Sequence, residues 1–220
     1  MLPDRRWVLI LGYTGAILAA AHAYAFRVII GALSEPGFSF RGDMRERLTY
    51  FAANQSLFLV WLFAAVGLWI VLVALLPAIW RALGRGWAAT AVVLLLFIGA
   101  AVNLTGDGAQ FPILFLSANY AGAAESLRPG LEAAASEVSR AVSTLLMPGG
   151  FLFFLGSLAA AVVAAIRRPP AGRWYGLFFL LFALSNVPVG PPLIAAVLNL
   201  LFFGAIAYLT ERGLAREGAA

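Results

Sequence analysis

Few residues in this 220-residue chain could carry out chemistry within its long apolar stretches. His22 is the only histidine, Arg27 follows it in the same stretch, and Asn103 and Asp107 lie near the end of another. Ionisable groups at membrane depth are expensive, on the order of 3 kcal/mol for a central arginine, so they are usually functional. Together with Tyr24, these residues could form a polar cluster that binds a ligand or gates a pathway.

Each of these residues also has a structural interpretation. A neutral His22 could hydrogen-bond to a neighbouring helix, as Asn103, Asn186 and Asn199 could, each for about 0.6 kcal/mol. Arg27 either extends its side chain to the membrane surface or forms an ion pair with Asp107. The sequence alone leaves these alternatives open.

The chain lacks the residues that most catalytic mechanisms require. The chain has no cysteine, which excludes disulfides and thiolate metal sites, and no lysine, which excludes Schiff bases. One histidine without a nucleophile elbow cannot build a serine triad, and no phosphate-binding loop is present. Every Asp and Glu lies in a terminus or a connection, which disfavours an ion-coupled pump. We therefore predict no enzyme activity, no cofactor and no metal site.

The composition is that of a membrane protein. Hydrophobic residues make up 63% of the chain, charged residues 11%, and the mean hydropathy is +0.93. The pattern predicts one all-α, polytopic transmembrane domain over residues 1–220, a helical bundle with about six spans. The predicted spans cover residues 7–33, 56–80, 87–104, 142–166, 174–186 and 193–210. Nucleic acid is not an expected partner, since the basic residues lie between the spans. The lipid bilayer is an expected partner, and other membrane subunits could be partners as well.

Small residues repeat every four positions on two of the spans. They are Gly15, Ala19 and Ala23 on the first, and Gly156, Ala160 and Ala164 on the fourth. Such faces let helices approach closely, so we expect them to pack within the bundle.

The third connection, residues 109–140, is neither a plain loop nor a span. It begins with an interfacial apolar segment and continues as an amphipathic helix opened by Pro129. This helix could continue into the fourth span, with a kink at residues 147–150. The turn between the last two spans is predicted at residues 187–192.

Arginine asymmetry predicts the orientation. With six spans, one side has nine arginines against three acids, and the other has six against seven. The arginine-rich side is expected to be cytoplasmic, which places the chain in the inner (plasma) membrane with both termini inside. An alternative is that the first apolar run is a cleaved signal peptide, with a cleavage site near Ala23. The continuation through Val28 and Ile30 favours a full span.

The layout resembles a family of uncharacterised bacterial six-helix membrane proteins, a domain of unknown function. The resemblance rests on Phe51-Ala52-Ala53-Asn54 before the second span, and on residues 167–169 and 173–176 between the fourth and fifth. It implies the six-helix architecture and brings no activity.

Two classes of function remain. The first is a non-catalytic membrane protein, either an accessory subunit of a larger assembly or a binder of an apolar or lipid ligand. The alternative is a small transporter or permease whose polar site on the outer side consists of His22, Arg27 and Asp107. The poverty of polar groups within the spans favours the first class.

Overall fold

The computed structural model describes residues 5–33, 43–187 and 190–217, and these residues form helices without any strand. An all-α protein was predicted, and this is confirmed. The helices are α1 (Arg5–Leu33), α2 (Met44–Ala53), α3 (Gln55–Ala82), α4 (Gly86–Gly108), α5 (Phe111–Gly122), α6 (Arg128–Arg167), α7 (Tyr175–Ser185) and α8 (Pro192–Glu217).

Five helical stretches in the described part of the chain are long and apolar enough to cross a membrane. They are α1, α3, α4 taken together with α5, α6 and α8. Helix α7 is also apolar but has only 11 residues, or about 16 Å, which is roughly half of the hydrocarbon thickness. The fifth predicted span, residues 174–186, therefore contains a helix that is too short to cross the membrane by itself, and the sixth crossing stays a prediction.

The first and last helices run antiparallel along each other. Arg5 at the start of α1 forms an ion pair with Glu211 near the end of α8, and Gly12 packs against Ala207. The start of α1 and the end of α8 therefore lie at one end of the bundle, here called the termini end. The opposite end is called the distal end.

Six helices surround the core, in the order α1, α3, α4, α6, α7 and α8, and α3 also contacts α8. The predicted small faces mediate this packing. A Cβ on Gly15 would lie 2.4 Å from the Phe203 ring, and one on Gly156 would lie 3.0 Å from the Leu96 backbone nitrogen. Ala160 is fully buried and packs on Gly176 of α7. The expected close packing within the bundle is confirmed.

A second apolar cluster lies at the distal end, where α2, α5 and the first turns of α6 cover the ends of α1 and α3. Its buried members are Ala25, Ile29, Leu33, Leu48, Phe51, Phe58, Trp61, Leu62, Ile113, Tyr120 and Ala135. Helix α2 was not predicted, although its capping signal is present. The Asp43 side chain accepts a hydrogen bond from the Glu46 backbone N–H at 2.9 Å, as in a capping box.

The third connection is helical throughout most of its length. Helix α6 begins at Arg128 with Pro129 in its first turn and continues for 40 residues to Arg167. The prediction that this helix continues into the fourth span is confirmed, and it runs through Pro148. A helix of this length measures about 60 Å, so it extends well beyond a bilayer core. The kink at Pro148 stays a prediction.

Candidate ligand cavity

A cavity of about 400 Å³ lies beyond the end of α7, in the distal half of the bundle. It lies where α7 ends at Ser185, while α1, α3, α4 and α6 continue toward the distal end. The lining residues are His22, Phe26, Trp61, Trp69, Asn103, Asp107, Leu146, Gly150, Phe153, Phe154, Ala183, Asn186 and Val187. Its volume is typical of a site for a small molecule.

Six of the thirteen lining residues carry rings. The His22 ring stacks on Phe26 at 5.8 Å between centroids, and Phe26 stacks on Trp61 at 5.9 Å. On the other side, Phe153 lies edge-on to Trp69 at 5.3 Å. These offset and edge-on arrangements are favourable for aromatic pairs and hold the rings in place.

Two polar residues of α4 face the cavity. The Asp107 carboxylate accepts a hydrogen bond from Trp69 Nε1 at 2.7 Å and one from Gln110 Nε2 at 3.1 Å, so each of its oxygens has a partner. Asn103 is 4% exposed and packs closely on α6, since a Cβ on Gly149 would lie 2.4 Å from Asn103 Oδ1. The buried carboxylate is thus satisfied by neutral donors.

Two other polar atoms of the lining residues are buried without a hydrogen-bond partner. They are Nδ1 of His22 and Nε1 of Trp61. The indole is a donor only, whereas the imidazole nitrogen can donate or accept according to its tautomer. Both atoms have almost no accessible surface, so they pack against protein and not against the open space of the cavity, and each costs about 1–3 kcal/mol as an unsatisfied buried group.

Arg27 lies outside this cavity, next to the connection between α7 and α8. Its guanidinium donates to the carbonyls of Ser185 at 3.3 Å, of Gly190 at 3.2 Å, and of Val187. It lines a separate cavity of about 340 Å³ with residues such as Leu184 and Ile194. Residues 188–189 of the predicted turn lie outside the described residues.

The end of α7 receives further donors. The Asn186 side chain donates back to the Phe182 carbonyl at 2.8 Å, and Asn199 of α8 donates to the Ser185 carbonyl at 3.4 Å. The last carbonyls of a helix have no partner within it, so these side chains replace the missing turn. Helix α7 can therefore end within an apolar bundle.

The predicted ion pair between Arg27 and Asp107 does not form in the described part of the chain. Each has other partners, and the C-terminal end of α7 supplies a negative dipole for Arg27. Arg27 is only 6% exposed, so its side chain packs within the protein. The alternative, an arginine extended to the membrane surface, stays a prediction, since the guanidinium reaches Gly190 in the connection between α7 and α8.

The structure brings three of the five predicted site residues together. His22, Asn103 and Asp107 line the same cavity, Arg27 lies beyond Val187, and Tyr24 is 46% exposed on the outside of α1. The helical period explains why Tyr24 lies apart from the cavity. It is two residues from His22 and therefore lies on another face of α1.

Sequence reasoning missed Trp61 and Trp69. The available signal was their depth, because tryptophans usually lie at membrane interfaces and a buried indole N–H needs a partner. The described residues contain no cluster of His, Cys, Asp and Glu that could hold a metal ion. The lining residues provide an aromatic surface and polar groups such as Asn103 and Asp107.

Comparison of the chain with protein-family models, curated proteins and solved structures gives no match. The resemblance to the six-helix family stays a prediction, and function has to be argued from the cavity.

Proposed function

We propose that the protein is a non-catalytic integral membrane protein that binds a small, largely apolar or lipid-like ligand in the distal cavity. The observation that carries this proposal is the cavity of about 400 Å³, whose wall combines ring-bearing side chains with the polar groups of Asn103 and Asp107. Apolar walls with a small number of polar groups are typical of small-molecule sites.

The rim of the cavity supports entry from the bilayer. Gly150, Phe154 and Val187 are lining residues that are exposed, which places the opening beside α6 and the end of α7. The neighbouring α6 residues Met147 and Phe151 are 79% and 62% exposed and would face hydrocarbon in a membrane. A ligand dissolved in the bilayer would thus enter sideways.

The proposal includes six crossings, with both termini in the cytoplasm and the chain in the inner membrane. Helix α7 and the residues after it would together make the fifth crossing, because the start of α1 and the end of α8 lie at the same end. The arginine asymmetry favours a cytoplasmic termini end. The first turns of α6 and the helix α5 would then lie at the outer surface, as predicted for the third connection.

The test is to fill the entrance. A Cβ on Gly150 meets nothing within 4 Å, so Gly150→Leu should fold and place its side chain at the rim. Gly31→Leu is the matched control, because Gly31 is also exposed, helical and uncrowded, but lies outside the cavity lining. The proteins are purified from native membranes, and native mass spectrometry records small molecules retained.

We expect wild type and Gly31→Leu to retain an apolar molecule at comparable occupancy, and Gly150→Leu to lose most of it. Equal retention by all three proteins would contradict the proposed cavity. Purified wild-type protein that retains no molecule and binds no added apolar probe would also contradict the proposed cavity.

A second candidate is a small transporter, favoured by the early end of α7 beside the cavity. Discontinuous helices commonly form the substrate sites of transporters. Ala183→Cys would place a thiol in the cavity wall of a chain that has no other cysteine. Maleimide labelling of this thiol from both membrane sides would favour transport, and labelling from the distal side alone would favour binding.

A further inference from the structure

We infer that the ligand of the distal cavity has a cationic ammonium head, with Asp107 as its counter-ion, and an apolar chain that leaves through the rim at Gly150. This inference rests on the proposed function and adds the chemical class of the ligand. A free amphiphilic amine and a lipid with an amine head group share this chemistry.

The first argument is the charge balance of the cavity. Among the described lining residues, Asp107 is the only acid and none is an arginine. The chain has no lysine, and Arg27 lies in a separate cavity, where it donates to carbonyls at the end of α7. The cavity therefore contains a carboxylate without a cation of the protein beside it.

His22 does not supply the missing positive charge. An imidazolium has an N–H on both ring nitrogens, and each needs an acceptor when it is buried. His22 Nδ1 is buried and has no hydrogen-bond partner, so a second proton there would leave a charged N–H without solvation. We therefore treat His22 as a neutral ring of the cavity wall.

The second argument is the remaining hydrogen-bonding capacity of Asp107. A carboxylate has about four acceptor positions, and the structure fills one on each oxygen, from Trp69 Nε1 at 2.7 Å and Gln110 Nε2 at 3.1 Å. Both donors are neutral, so they orient the carboxylate without cancelling its charge. An ammonium head has donors and no acceptor, and therefore complements the positions that remain.

Burial of Asp107 strengthens this preference for a cation. Asp107 is 6% exposed, so folding has already removed its carboxylate from most of the surrounding water. A ligand cation gains the attraction at low dielectric without a second desolvation of the carboxylate. A neutral head gains only a hydrogen bond, and an anionic head is repelled.

The third argument is the group of aromatic rings around the carboxylate. Trp69 is fixed beside Asp107 by its hydrogen bond, and Phe153 lies edge-on to Trp69 at 5.3 Å. Phe26 and Trp61 form a second pair in the same wall, at 5.9 Å. Ring faces attract cations, those of tryptophan most strongly, so the rings offset part of the hydration that an ammonium loses.

The experiment uses three probes with the same dodecyl chain: dodecylamine, dodecanol and dodecanoate. Each is titrated into delipidated wild-type protein in a non-ionic detergent at neutral pH, where the amine is a cation and dodecanoate an anion. Isothermal titration calorimetry gives the affinities, after subtraction of titrations into detergent alone. Dilauroylphosphatidylethanolamine is titrated as well, to distinguish a lipid head group from a free amine.

Asp107→Asn removes the charge and keeps the size of the side chain and groups that can pair with Trp69 and Gln110. Glu125→Gln is the matched control, because it removes one negative charge from an exposed residue between α5 and α6, outside the cavity lining. We expect dodecylamine to bind most tightly of the three probes. Asp107→Asn should weaken its binding about tenfold or more and change that of dodecanol little, whereas Glu125→Gln should change neither.

The outcomes separate this inference from the proposed function. Binding of dodecanol as tight as that of dodecylamine, or tighter binding of dodecanoate, would overturn the inference and leave the apolar cavity standing. The same holds if Asp107→Asn binds dodecylamine as wild type does. The comparison of probes in wild type decides the question if Asp107→Asn does not fold.

The phospholipid identifies the source of the ammonium head. Tighter binding of dilauroylphosphatidylethanolamine than of dodecylamine would support the inference with a lipid as the ligand, and weaker binding would support it with a free amine. Absence of binding by all of these probes, with equal retention of native molecules by Gly150→Leu, would overturn the proposed function itself.

Discussion

Arg27 is a buried cation that is stabilised by backbone carbonyls and not by a carboxylate. The C-terminal end of a helix carries a partial negative charge, and the planar guanidinium has enough donors to serve several carbonyls at once. Its three acceptors belong to Ser185, Val187 and Gly190, about 160 positions away in the chain. Arg27 thus takes over hydrogen bonds that a longer α7 would have made itself.

Replacement of Arg27 by Gln should therefore destabilise the protein by at least about 2 kcal/mol, since several buried carbonyls lose a charged donor. The stability of Arg27→Lys should be intermediate, because an ammonium keeps the positive charge but lacks the planar set of N–H donors of a guanidinium. Thermal unfolding in detergent measures both.

Tyr24→Phe is the control for this series, since Tyr24 is exposed on the same helix. Its effect should stay within about 0.5 kcal/mol. A melting temperature of Arg27→Gln equal to that of the control would show that the carbonyls at the end of α7 do not need the arginine.

At the scale of the elements, α7 is the unusual one. A helix of 11 residues is marginal by itself, so packing must hold it in place. Phe179 and Phe182 are fully buried, Tyr175 shares a hydrogen bond of 2.8 Å with Thr210 of α8, and Gly176 lies directly on the α6 backbone. The short helix is thus fixed on both sides, and the space beyond it is left as the cavity.

Gly176→Ala should disrupt this packing, because the added Cβ would lie 2.3 Å from the Ala160 carbonyl oxygen and 2.3 Å from the Ala161 Cα. Backbone atoms cannot move aside as a flexible side chain can, so we expect a loss of about 1–3 kcal/mol. Thermal unfolding in detergent again gives the value.

Gly150→Ala provides the comparison, since its Cβ meets nothing within 4 Å. It should leave stability unchanged or raise it by up to about 1 kcal/mol, because alanine is the better helix former. Similar melting temperatures for the two alanine variants would argue against close contact between α6 and α7.

At the scale of the whole molecule, the position of the chain ends constrains the number of crossings. Five long helices alone would place the two ends on opposite sides of a membrane. The ion pair between Arg5 and Glu211 keeps the start of α1 beside the end of α8. An even number of crossings follows if the bundle axis is normal to the membrane, and we propose that α7 makes the sixth.

Labelling of single cysteines can test this topology, because the chain has none of its own. Ser126→Cys and Pro191→Cys lie toward the distal end, and Arg173→Cys lies toward the termini end, all at exposed positions. In intact cells with a permeable outer membrane, an impermeant maleimide should label the first two, and Arg173→Cys only after the inner membrane is opened. The reverse pattern would invert the orientation, and labelling of Pro191→Cys from the cytoplasmic side would remove the crossing by α7.

Local patterns in the sequence were sufficient for the helical architecture. Long apolar runs predict helices because backbone groups in an apolar environment must be paired within the segment, and this holds for α1, α3 and α8 without knowledge of the fold. The four-residue spacing of Gly15 and Ala19 predicted close packing for the same reason, since periodicity is a property of one helix. The absence of cysteine and lysine is likewise read directly from the sequence, and it excludes disulfides, thiolate metal sites and Schiff bases.

The site depended on contacts between distant segments, and these only the tertiary structure decided. Hydropathy predicted the end of α7 to within one residue, at Asn186, but it cannot show that α1, α3, α4 and α6 lie around this end and continue past it. Nor can it show that Arg27 would reach those carbonyls and not Asp107. The cavity lies where a helix ends before its neighbours do, and the Trp61 N–H is unpaired only because of what surrounds it. Burial and hydrogen-bond pairing are properties of the assembled bundle, so the sequence indicated the depth of Trp61 but not that its N–H would be without a partner.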